Sequence, residues 1–323
     1  MILNIQQLIE DKASINHYEN EVAITHIKNL KNSIQVTYSQ LFKLINNASN
    51  HLIKLNIKNK DKIYISSEDS LNFIITFLGA IKVGIIPIPG NPELNIKQKK
   101  HIIENSSPKL IISDDEKIYS PTKHIKTKIW KSVLSKNITT PNNFYKPKCN
   151  TPAFIIYSSG TTGKPKGIIH THLSIQNTTY LHEKILKLKP TEKIYTTSKL
   201  YFAYALGNNL FAPFLLGLNS IFNDYSINLK ITDIIKDYNP SCIFSVPTMY
   251  RRILRNKKEN YKYLKKVKYF ISAGERVPDK LYKEWYESSK TTLLNCYGTT
   301  ETLAIVIASR PKKEKIGSTG MPI

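Results

Sequence analysis

The chain has 323 residues, enough for one large domain or two medium ones, each with its own core. A hydrophobic content of 41% is ordinary for a globular protein, while 47 Lys and Arg against 24 Asp and Glu give a formal charge of +23. Such a charge would suit nucleic acid or an anionic membrane surface, but the lysines are spread through Asn, Ile and Tyr along the whole length, so no nucleic-acid partner is expected.

The densest basic cluster, NKKENYKYLKKVKY at 256–269, reads as a solvated helix and its connection. Cys149, Cys242 and Cys296 are odd in number and lack CxxC spacing, which argues against a disulfide framework or a zinc site and fits a reducing, cytoplasmic setting. The N-terminus has no basic start followed by an apolar run, so no signal peptide is expected. The apolar stretches 73–90 and 201–217 are interrupted by Lys82 and Gly84, and by Asn208 and Asn209, so neither predicts a membrane span.

From residue 62 the elements alternate. KIYIS at 62–66 predicts a strand and SLNFIITFLGAIKV at 70–83 a helix capped by Gly84. IIPIP at 85–89 predicts a strand, NIKQKKHIIEN at 95–105 a helix and KLIIS at 109–113 a third strand. Residues 119–150 lose the period, gather Pro, Asn and Lys, and read as a linker or variable surface segment. The alternation resumes with AFIIY at 153–157, a helix near 172–188, KIYTT at 193–197, a helical stretch at 201–217 and SIF at 220–222. It continues through LKITDIIKDY at 229–238, SCIFSV at 241–246, TMYRRILR at 248–255, VKYFISA at 267–273, a helix opened by Pro278 and TLLNCY at 292–297. Strands alternating with helices predict an α/β fold of two doubly wound, mostly parallel sheets flanked by helices. The expected division is a first α/β subdomain over 1–150 and a second over 151–323.

One segment has no core role. SSGTTGKPKG at 158–167 buries almost no apolar surface, and it leaves the carboxyl end of AFIIY, where open α/β sheets bind ligands. Small residues let successive N–H groups converge on an anion, hydroxyls add donors, and Lys164 and Lys166 add charge. A phosphate site is the reading this composition favours over a plain surface loop. It is not a Walker A loop, because only two residues separate Gly160 from Gly163 and Pro165 follows Lys164.

The same run resembles the phosphate loop of the adenylate-forming superfamily, which includes acyl-CoA synthetases, adenylation domains of peptide synthetases and firefly luciferase. Three further blocks occur in the family's order: LGAIKVGIIPIPGNP at 78–92, NCYGTTET at 295–302 and GSTGMPI at 317–323. The resemblance implies an AMP-forming ligase that joins a carboxylate to the α-phosphate of ATP and passes the acyl group to a thiol, of CoA or of a carrier protein. It gives Ser158, Ser159, Gly160, Thr161, Thr162, Gly163 and Lys166 the β- and γ-phosphates. Ala273, Gly274 and Glu275 would border adenine, Tyr297 would stack on it beside Gly298 and Thr299, Thr300 would bond the α-phosphate, and Glu301 would hold Mg²⁺. For Cys296 the expectation is a small buried residue.

SKLYFAYALGN at 198–208 resembles the aromatic-rich run of benzoate-CoA ligases, implying Tyr201, Phe202, Tyr204 and Gly207 around a flat, apolar acid. Aromatics at this spacing also suit a plain core helix, and Ala205 stands where that branch has Gly. His170 and His172 lack acidic or cysteine partners nearby and read as capping or surface residues. Family members continue past the last block with a ribose-binding aspartate and a small C-terminal lid carrying a catalytic lysine. The sequence ends before these, so the expectation is a large N-terminal domain whose chemistry needs a separate lid, or a weakly active or non-catalytic ATP- and acyl-binding fragment.

Overall fold

The computed structural model describes residues 4–29, 31–136, 145–148, 150–158, 164–223, 230–255 and 261–323. Residues Met1–Asn20 and Thr37–Ile175 form one compact unit, and Glu21–Val36 with Gln176–Ile323 form the other.

The chain opens with α1 (Ile5–Ile15), whose N-cap Asn4 accepts from the Gln6 N–H at 3.0 Å. It then supplies β1 (Val22–Asn29) and β2 (Asn32–Thr37) to the second unit. In the first unit α2 (Tyr38–Lys54) starts from a capping box, in which Thr37 and Gln40 satisfy each other's backbone N–H groups. There follow β3 (Lys62–Ser66), α3 (Leu71–Lys82), β4 (Ile86–Pro89), α4 (Ile96–Ser106), β5 (Leu110–Ser113) and β6 (Lys123–Ile125). These four strands form a parallel sheet in the order β4-β3-β5-β6. Apolar runs such as LIIS are buried from end to end, as strands covered on both faces must be. Gly84 ends α3 with φ +75°, the left-handed cap its position predicts.

The 119–150 segment is more than a linker. Lys123–Ile125 pairs with β5, and a helix over Thr127–Leu134 buries Trp130, 1% exposed, with its Nε1 donating to Thr76 Oγ1 at 2.7 Å. Trp130 and Leu134 are the segment's anchors, spaced one helical turn apart and easily lost among the surrounding Lys, Thr and Pro.

The glycine-rich run does not follow a parallel strand. β7 (Pro152–Ser158) pairs antiparallel with β8 (Lys166–Thr171) in its own two-stranded sheet, so the run leaves a hairpin strand and not a parallel one. Ile168 and Ile169 of KGIIHT stand opposite Ile156 and Ile155 of AFIIY, and an apolar run does not by itself fix the direction of its partner.

The second unit contains β9 (Lys193–Thr196), β10 (Asn219–Asn223), β11 (Cys242–Ser245), β12 (Tyr269–Ser272), β13 (Leu293–Gly298), β14 (Ile305–Ala308) and β15 (Met321–Pro322). Its nine-stranded sheet runs β15-β14-β13-β12-β11-β9-β10-β1-β2. Pairing is parallel from β13 through β1, while β13–β14 and β14–β15 are antiparallel. Alternate residues build a core on each face. Tyr195, Ile243, Phe270 and Leu293 pack with Tyr250 and Trp285, whereas Ile194, Phe244, Ile271 and Leu294 pack with Leu181, Leu186 and Leu218.

The compact units do not divide at residue 150. The β7–β8 hairpin packs beside β4 and takes 151–175 into the first unit, while pairing of β1 with β10 takes 21–36 into the second. The helix expected near 172–188 is two short pieces, His172–Gln176 and a π-helical turn Leu181–Ile185. The stretch 201–217 is helical as expected, with a π segment at Leu206–Phe211.

Candidate functional site

Within the second unit, a cavity of about 310 Å³ lies where the parallel strands finish. Each of four neighbouring strands contributes residues at or just past its carboxyl end: Ser198 beyond β9, Val246 after β11, Ala273 and Gly274 after β12, and Gly298 with Thr299 and Thr300 at β13. Phe202, Ala203, Tyr204 and Asn208 close a further side from the 201–217 helix, with Leu303, Ala304 and Ile305 completing the wall. None of these side chains is charged.

The aromatic side is internally bonded. Tyr204 Oη donates to the Ser245 carbonyl at 3.3 Å, and burial pushes its phenol well above the usual value, so it offers a ring and not an acid. Asn208 Nδ2 donates to the Tyr204 carbonyl at 2.8 Å, tying the π segment to the turn before it. Phe202 is 50% exposed and lies on Tyr201, ring centroids 4.7 Å apart. Tyr201 is buried and Gly207 is buried. A Cβ on Gly207 would stand 2.6 Å from the Leu303 carbonyl oxygen, so this glycine allows two backbones to touch.

The opposite wall is the Tyr-Gly-Thr-Thr-Glu turn. Tyr297, the last residue but one of β13, has 51% of its surface exposed, and a Cβ on Gly298 would lie 2.7 Å from the Ala304 carbonyl oxygen. The Thr299 N–H donates to Thr302 Oγ1 at 3.0 Å and the Thr302 N–H to Thr299 Oγ1 at 3.3 Å. Glu301 is exposed on this turn, as is Glu275 after β12. Among the described residues no group of three His, Cys, Asp or Glu gathers to hold a metal. A single exposed carboxylate fits Mg²⁺ of the kind held by one side chain and by phosphate oxygens.

Of the residues anticipated around nucleotide and acid, Phe202, Tyr204, Ala273, Gly274, Gly298, Thr299 and Thr300 line this cavity. Tyr201, Gly207, Glu275, Tyr297 and Glu301 sit on the same segments outside its lining. Ser158 and Lys166 belong to the first unit, directly opposite one another across the β7–β8 ladder, with Lys166 exposed. Ser159, Gly160, Thr161, Thr162 and Gly163 lie outside the described residues. Val246, Leu303, Ala304 and Ile305 were not anticipated; their signal is position, at the carboxyl end of a predicted strand or directly after a turn block.

The histidines depart from expectation. His170 and His172 are buried, not on the surface: His170 stacks on Phe154 at 4.9 Å, and burial pushes the His172 imidazole down to about 4. Their alternation with Ile168 and Ile169 did not distinguish the inner face from the outer. His182, buried against Phe244 at 5.2 Å, is also pushed down to about 4. Cys296 is buried as expected, and desolvation raises its thiol to about 12.

The family model for AMP-binding enzymes matches residues 11–323. The chain belongs to the AMP-binding enzyme family. Similar curated relatives include a 3-hydroxybenzoate–CoA ligase of Aromatoleum sp. (strain CIB), 25% identical over 307 residues that cover 89% of this chain and 58% of that protein. A benzoate–CoA ligase of Thauera aromatica is 26% identical over 304 residues, covering 89% and 58%. This family member therefore spans about 58% of the length of those relatives. Among solved structures, an anthranilate CoA ligase in complex with anthranoyl-AMP superimposes with a TM-score of 0.88 at 22% identity, covering 100% of this chain and 64% of that one. A benzoate CoA ligase from Burkholderia xenovorans LB400 gives 0.85 at 21% identity, covering 100% and 66%. These likenesses establish the α/β fold of the family's N-terminal domains. Among the described residues no helix is long and apolar enough to cross a membrane.

Proposed function

We propose that this chain is the acid-activating part of an AMP-forming ligase, which joins a carboxylate to the α-phosphate of ATP and releases pyrophosphate, with CoA as the thiol that then takes the acyl group. The observation that supports it most is the uncharged cavity at four parallel strand ends with the Tyr297–Glu301 turn beside it. Two anions must approach, so catalysis is largely alignment and charge neutralisation. Thr300 would bond the α-phosphate, Tyr297 would cover adenine with Ala273, Gly274 and Glu275 along its edge, and Glu301 would hold Mg²⁺, which supplies positive charge when bound. Ser158, Ser159, Gly160, Thr161, Thr162, Gly163 and Lys166 would bind the terminal phosphates. Phe202 and the Tyr204 ring would border an apolar, aromatic acid; an uncharged lining disfavours a second carboxylate on it.

ATP–pyrophosphate exchange against a panel of aryl and fatty acids, with and without an added C-terminal lid domain, tests the proposal. Aryl acids should support exchange, and Glu301→Gln should lower the Mg²⁺-dependent signal by about 10²–10³-fold. Unchanged exchange in that variant removes the metal assignment. ATP binding with no exchange under any condition would make the chain a nucleotide-binding fragment.

A further inference from the structure

We infer that Thr302 is a positioning residue, whose hydroxyl clasps Thr299 and so presents Thr300 and Glu301 to a nucleotide and its metal; the inference rests on the function proposed above. The block Thr299-Thr300-Glu301-Thr302 contains three hydroxyls, and two of them serve each other. Thr302 Oγ1 accepts from the Thr299 N–H at 3.0 Å, and the Thr302 N–H donates to Thr299 Oγ1 at 3.3 Å. The proton of Thr302 Oγ1 has carbonyls within reach at both ends of the turn, Thr299 O at 3.1 Å and Ala304 O at 2.9 Å.

This is the reciprocal pattern that opens helices, yet no helix follows. Leu303 takes φ +59°, its N–H returns to the Thr299 carbonyl at 3.2 Å, and the chain leaves into β14. A left-handed conformation is unfavourable for leucine and persists where its surroundings enforce it. Here they do: Leu303 is buried, and Gly207 abuts its carbonyl oxygen closely enough that no Cβ fits. The turn is thus closed at its start by a hydroxyl clasp and at its end by a fixed backbone. Thr300 and Glu301 are the two residues held between, Thr300 against the cavity and Glu301 exposed. Valine has the shape of threonine but loses every bond made by Oγ1 and keeps only the backbone N–H to Thr299 Oγ1, whereas serine keeps them all.

Calorimetric titration of Mg²⁺-ATP, together with amide hydrogen exchange over residues 299–304, tests the clasp in the full chain. Thr302→Val should weaken Mg²⁺-ATP binding by about 10-fold to 100-fold and speed amide exchange at Thr300, Glu301 and Leu303, and Thr302→Ser should restore both to near the original. Wild-type binding in Thr302→Val, failure of Thr302→Ser to restore it, or weaker binding with amide protection unchanged would each overturn the inference. If the unaltered chain binds no ATP, the function proposed above fails and the positioning role with it. Clasp-dependent amide protection would then mark the hydroxyl as purely structural.

Discussion

The parallel sheets of the two units use similar strands and finish them differently. In the first, Gly90 follows β4 so closely beside Tyr64 that a Cβ there would lie 2.3 Å from the ring, and beyond β5 Asp115 is engaged by Lys99 at 2.6 Å. Large and charged side chains fill those ends. In the second, β9, β11, β12 and β13 lead into Ser, Val, Ala, Gly and Thr, and an open volume remains. The apolar strand interiors set the fold in both cases. The few residues beyond the carboxyl ends decide whether a ligand has room.

The largest effect expected on this contrast is in the first unit's packing. Trp130→Ala should cost about 3–5 kcal/mol of stability, read from the denaturant midpoint; a cost below 1 kcal/mol would return 119–150 to the role of a linker. A paired test follows at the strand ends. Gly298→Ala and Gly90→Ala should each destabilise by about 1–3 kcal/mol through overpacking, but only Gly298→Ala should also depress pyrophosphate exchange. Equal losses of exchange in both would erase the distinction between the sheets.

The smallest effect is one the units share. His172 and His182 sit near 4 when folded against an ordinary 6.5, because burial disfavours the imidazolium. The unfolded chain therefore binds the extra protons first, and stability is lost as pH falls from 6.5 towards 4. At pH 6 the loss relative to neutral pH should be about 0.7 kcal/mol for each ring. Melting curves from pH 7 to 5 would show it, and His182→Phe should remove roughly half of the slope.

Strand runs such as KIYIS and LIIS were legible because two-sided burial leaves an unbroken apolar signature. The helix ended by Gly84 was legible because a left-handed cap has few other occupants. The β7–β8 hairpin was misplaced, since an apolar run does not reveal whether its partner is parallel, and the neighbouring glycines suited either topology. Trp130 was hidden because two anchors in a polar segment make no period. At the site, the Tyr-Gly-Thr-Thr-Glu block was legible through its resemblance to the block that adenylate-forming enzymes carry. The contact of Gly207 with the Leu303 backbone joins residues far apart in sequence and needed coordinates. Thr302 fell between these cases, visible in the block but without a role until its bonds were seen.

Cys242 on β11 and Cys296 on β13 flank β12 in the middle of the sheet, both free, buried and held as neutral thiols by desolvation. A maleimide or a disulfide reagent can reach either sulfur only when the strands separate. Alkylation of these two positions is therefore an internal clock for opening of the layer that carries the cavity, and a molecule seated there should slow it.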